Sequence, residues 1–109
     1  MTRPADTLEL RIGAGTPAEA IVAALVTAMG ARAGIGVERL DELQMATELL
    51  LGGTGGREAD VTIGVNGSTL VVTVRPIAPE RLRARGALIE GLAGRVVVDG
   101  DTVELSVDA

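Results

Sequence analysis

The sequence predicts an α+β fold, a two-layer sandwich in which three helices cover one face of a five-stranded, mostly antiparallel sheet. Three observations predict it. Four of the five candidate strands alternate apolar with polar or small residues, the pattern of a sheet with one buried and one open face. Two glycine-bearing turn signals, Asn66-Gly67 and Asp99-Gly100, each join two such strands into a hairpin. Three longer segments between strands carry apolar residues at helical spacing. The resulting order is β-α-α-β-β-α-β-β over 109 residues, a length that suits one domain spanning residues 1–109.

Each element has its own signal. Leu8, Leu10 and Ile12 alternate with Glu9 and Arg11 and form the first strand. Thr16-Pro17-Ala18-Glu19 then supplies an N-cap, a proline at the first helical position and a capping-box acid. The helix that follows carries Ile21, Leu25, Ala28 and Met29 at helical spacing and ends at Gly34 in a left-handed conformation. A second helix runs from about Val37 to Leu51 with the apolar stripe Leu40, Leu43, Thr47 and Leu50, and Gly52-Gly53 marks its end. Glu38, Asp41 and Glu42 near its start complement the helix dipole. The glycine-rich stretch from Gly52 to Arg57 reads as a flexible connector. Val61, Ile63 and Val65 form the next strand, Asn66-Gly67 a type I′ turn, and Leu70, Val72 and Val74 the returning strand. A third helix starts at Pro79, presents Leu82, Leu88, Ile89 and Leu92 to the core, and stops at Gly94. Val96 to Val98 closes the sheet by pairing with Val103, Leu105 and Val107.

Composition narrows the chemistry. Apolar residues make up 47% of the chain and none is aromatic, so the core is built from Leu, Val, Ile, Ala and Met. Without aromatic stacking platforms, and with a net charge of −5, the chain is a poor partner for nucleic acid. The absence of Cys and His excludes disulfides, thiolate and imidazole metal ligands, and His-based catalysis. All ten basic residues are Arg, which excludes the Walker A lysine and Schiff-base chemistry. No apolar run is long enough to span a membrane, and no leader pattern opens the sequence, so the expected location is the cytoplasm, without membrane partners. Asp99, Asp101, Glu104 and Asp108 read as solvated acids at a turn and on outward strand positions rather than as a metal site.

The element order, together with Asp41-Glu42-Leu43-Gln44-Met45-Ala46-Thr47-Glu48-Leu49-Leu50, resembles the GHKL (histidine-kinase-like) ATPase fold in its bacterial anti-sigma-factor serine kinase form, across nearly the whole chain. That family carries a Glu in this helix and, one turn later, an Asn that holds magnesium. Glu48 matches the Glu, but Gly52 stands at the Asn position. The family's Asp-x-Gly-x-Gly box after the third strand corresponds here to Arg75-Pro76-Ile77-Ala78-Pro79, with Pro76 in place of the Asp and no space for an ATP lid. The second glycine box is reduced to Arg85-Gly86-Ala87, whereas the last hairpin, Gly100-Asp101-Thr102-Val103, is closer to the pattern.

The resemblance therefore implies a retained scaffold with a dismantled nucleotide site. Cofactor-binding positions map to Gly52, Pro76, Gly86 and Thr102, all degenerate, and Glu48 is the one catalytic candidate. Phosphoryl transfer depends on metal ions and positioned charges. A charged hydrogen bond contributes about 1.5–3 kcal/mol, so two lost contacts weaken nucleotide binding roughly 10²–10⁴-fold. The expected activity is regulatory protein binding in a partner-switching system, with no cofactor, and with a sigma factor, an anti-sigma-factor antagonist or a second copy of the chain as partner. The alternatives are an ATP- and magnesium-dependent protein serine kinase centred on Glu48, and an oligomerisation module without catalysis. Arg75, Arg81, Arg83 and Arg85 place four of the ten arginines between residues 75 and 85; they are candidates for contacting an acidic partner as well as a plain solvated face.

Overall fold

A computed structural model describes residues 6–12, 18–52 and 58–109 of the chain, apart from the side chains of Asp6, Ala18, Glu19 and Arg85. The expected Thr16-Pro17 cap and most of the glycine-rich connector lie outside the described residues. The elements follow the predicted order: β1 (Asp6–Ile12), α1 (Ala18–Arg32), α2 (Val37–Gly52), β2 (Ala59–Asn66), β3 (Thr69–Arg75), α3 (Pro79–Leu92), β4 (Arg95–Asp99) and β5 (Thr102–Asp108). The strands form one sheet in the order β1-β2-β3-β5-β4. Every neighbouring pair is antiparallel, so the sheet is antiparallel throughout.

The register explains the two layers. Leu10, Val61, Val74 and Val103 fall in one cross-strand row, and Leu8, Ile63, Val72, Leu105 and Val96 fall in another. These residues share the face beneath the helices, where Val61, Ile63, Val72, Val74, Val103 and Leu105 are buried. On the opposite face stand Glu9, Thr62, Thr73, Glu104 and Val97 in a single row. Alternation with a period of two makes this division unavoidable once the register is set.

Of the helices, α2 contributes most to the core, burying Leu40, Leu43, Ala46, Thr47, Leu50 and Leu51. The Thr47 hydroxyl is satisfied within the helix by donating to the Leu43 carbonyl at 2.7 Å. Fully burying an aliphatic side chain of this size contributes roughly 1.5–3 kcal/mol. The Gln44 amide bridges to α1, donating to the Thr27 hydroxyl and to the Ala23 carbonyl. At the end of α1, Gly34 adopts φ +78°; its N–H reaches the Ala31 carbonyl at 3.1 Å, and the Ile35 N–H reaches Gly30 at 3.0 Å. These are the paired bonds of a Schellman cap, with Ile35 turned into the core as its apolar anchor.

Four sequence expectations change. In α1 the buried stripe is Val22, Val26 and Met29, continued by Ala33 just past the helix end, while Ile21 is 39% exposed and Ala28 lies on the surface. Because α1 is apolar almost all round, its periodicity selects no face; packing against β2 and α2 does. In α3 Leu88 is 62% exposed while Ile89 is buried, since Leu88 lies about 100° around the helix from Ile89. Asn66 pairs with Thr69, so the central residues of the first hairpin turn are Gly67-Ser68 rather than Asn66-Gly67. Positive φ falls only on Gly67, the sign pattern of a type II′ turn, which takes glycine at its first central position. Finally, Val107 lies beyond the end of β4 and pairs with Leu70 of β3, leaving Val96 opposite Leu105 and Val98 opposite Val103.

Candidate functional site

Of the positions singled out by resemblance, Gly52, Pro76 and Thr102 gather at one end of the molecule, where α2 finishes, β3 leads into α3, and β4 turns into β5. Glu48 is exposed on α2, one turn before Gly52 ends the helix. The last carbonyls of a helix have no partner within it and carry the negative end of its dipole. Arg81, in the first turn of α3, meets this need: its Nη1 donates to the Gly52 carbonyl over 3.5 Å. The side chain that approaches the matched Asn position is thus a cation from α3, while Gly52 itself offers no ligating group.

The segment between β3 and α3 is short and held from below. Pro76 is exposed, and the N–H of the next residue, Ile77, donates to the Asp101 carbonyl at 2.8 Å, with Ile77 itself buried. Thr102 is half-buried beside it, its hydroxyl donating to the Asp101 carboxylate over 3.4 Å. Pro76 and Thr102 are therefore brought together through Ile77 and Asp101. Three residues after Pro76 the chain is already helical, with Ala78 as N-cap and Pro79 at the helix start. Gly86 lies halfway along α3, and a Cβ built there meets nothing within 4 Å. Among the described residues its lack of a side chain serves no close packing. The residues at the positions that the resemblance maps to an ATP–magnesium pair do not fit it: Gly52 has no side chain, Pro76 has no polar side chain, and Arg81 reaches the end of α2.

The four arginines do not form one surface. Arg75 ends β3 on the open face of the sheet, opposite Asp60 in the register. Arg81 leans against the end of α2, and Arg83, two residues on and so about 200° around the helix, is exposed on another side of α3. The side chain of Arg85 lies outside the described residues.

One charged group on the open face escaped the sequence reading. Arg11 Nε donates to Asp60 Oδ1 at 3.0 Å and lies 3.3 Å from Glu58 Oε1. The hydrogen bond to Asp60, then the nearby charges of Asp60 and Glu58, raise the Arg11 pKa above its ordinary value. With Glu9, Leu10, Val61, Thr62 and Arg75, Arg11 and Asp60 line a shallow depression of about 470 Å³. Both partners are exposed, so the pairing does more to orient Arg11 than to stabilise the fold. The signal was present in the sequence: Arg11 and Asp60 sit at outward positions of strands that the alternation already defined. What was missing was the β1–β2 register that sets them opposite each other.

Among the described residues no three acidic side chains converge as a metal-binding group. No helix among them is long and apolar enough to cross a membrane. The sequence matches no protein-family model and no curated protein.

Proposed function

We propose that the chain is a catalytically silent regulatory protein of the anti-sigma-factor serine kinase type, acting in the bacterial cytoplasm by binding a protein partner. The observation that carries this reading is the contact between Arg81 and the Gly52 carbonyl. It closes the end of α2 with a residue of α3, where the resemblance calls for a magnesium-holding side chain and a lid. The element order supports the scaffold half of the reading. Once the nucleotide positions are dismantled, function rests on surface, and the chain offers exposed apolar residues on both α2 and α3, Met45 and Leu88. A sigma factor or an anti-sigma-factor antagonist is the class of partner this reading names.

Isothermal titration with ATP and Mg²⁺ tests it. The expected result is no binding up to millimolar nucleotide. Micromolar binding, with magnesium-dependent phosphorylation of a partner that is lost in Glu48→Ala, would replace this reading with that of an active serine kinase.

A further inference from the structure

The outer edge of β4 carries charges and backbone groups suited to a further strand. Among the described residues β4 pairs only with β5 and ends the sheet. Its sequence, Arg95-Val96-Val97-Val98-Asp99, contains no proline and no charge between its ends. Val97 and Val98 are 41% and 51% exposed, on opposite faces of the strand. A strand edge of this kind is a template for further pairing unless charge, proline, a bulge or a covering segment blocks it.

We propose that this edge pairs with the same edge of a second copy of the chain, antiparallel about a two-fold axis at Val97, joining two sheets into one. The charges select this geometry. In that register Arg95 stands opposite the partner's Asp99, Asp99 opposite the partner's Arg95, and Val97 opposite the partner's Val97. Arg95, Val97 and Asp99 all belong to the open face, so each charge meets its complement on the same side of the sheet. Shifting the register by two residues either way sets Arg95 or Asp99 against a valine. Neither has an ion-pair partner among the described residues, so both are available to the second copy.

Backbone alternation agrees. The two-residue loop Gly100-Asp101 closes on the Asp99–Thr102 pair, which in such a hairpin is a hydrogen-bonded one. Asp99, Val97 and Arg95 therefore turn their backbone groups toward β5, while Val96 and Val98 turn theirs outward. Under the proposed axis Val96 faces the partner's Val98, and the two symmetric pairs exchange N–H to C=O bonds in both directions.

Sedimentation equilibrium of the full chain over a wide concentration range tests the proposal, independently of any nucleotide or regulatory partner. A monomer–dimer equilibrium is expected. Arg95→Asp sets like charges opposite each other at both ends and is expected to raise the dissociation constant about tenfold. Combining it with Asp99→Arg restores opposite charges and is expected to return the constant to near its original value. Val98→Pro removes an outward N–H at an edge position that tolerates proline, and is expected to leave a folded monomer by circular dichroism. A chain that stays monomeric, assemblies that grow beyond the dimer, or a double variant no tighter than Arg95→Asp would each overturn the proposal.

Discussion

Helix α2 turns six residues fully into the core, whereas α3, only slightly shorter, fully buries Ile89 and half-buries Leu82 and Leu92. The strands repeat the contrast. In β2 and β3 every residue on the helix-covered face is buried, while β4 has no buried residue and exposes Val98 on that face. One region is organised around packing. The other, α3 with β4, keeps apolar side chains at the surface and is joined to the rest through the packing of α3 on α2, through Ile89 and Ala93, and through the strand ladder to β5. Buried packing and exposed apolar surface are thus placed in different parts of a small molecule. Regions with few buried contacts open most readily.

The comparison can be broken by substitution. Leu43 is fully buried, and Leu43→Ala removes most of a side chain where neighbours cannot all collapse inward. It is expected to lower the unfolding free energy by about 2–5 kcal/mol, read by urea titration. Against a total of about 5–15 kcal/mol for a typical domain, that is a large fraction. Gly86→Ala tests the other region in the opposite sense. A Cβ at Gly86 meets nothing within 4 Å, so the gain in helix propensity is expected to raise stability by about 1 kcal/mol in the same titration. A destabilising result would show that Gly86 is needed for a close approach. The smallest effect is expected for Leu88→Gln on the exposed side of α3, within about 0.5 kcal/mol. A large loss there would mean that α3 is packed much as α2 is, and the contrast between the regions would disappear.

The same contrast accounts for which expectations held. In α2 the apolar stripe Leu40, Leu43, Thr47 and Leu50 is flanked by Glu38, Asp41, Glu42 and Glu48, so only one face can be buried, and it is. In α1 nearly every position is apolar, and the stripe was misplaced by about one residue. In α3, Leu88 and Ile89 are adjacent and equally apolar, so their order along the chain does not reveal which one faces inward. The candidate site divides in the same way. That Gly52 and Pro76 carry no ligating side chain was legible from their identities alone. That Arg81 reaches Gly52, and that Arg75 stands apart from Arg83, was not, because each depends on elements distant in sequence.

The sequence by itself determined the order of elements, the hairpins, the buried face of the sheet and the absence of a ligating side chain at Gly52 and Pro76. These follow from local properties: side-chain period, turn chemistry and residue identity. Only the tertiary structure decided the inward faces of α1 and α3, the central residues of the first hairpin turn, the pairing of Arg11 with Asp60, and the unpaired edge that β4 presents. Each of these is a relation between segments separated along the chain, set by which surfaces approach one another, and no local pattern specifies it.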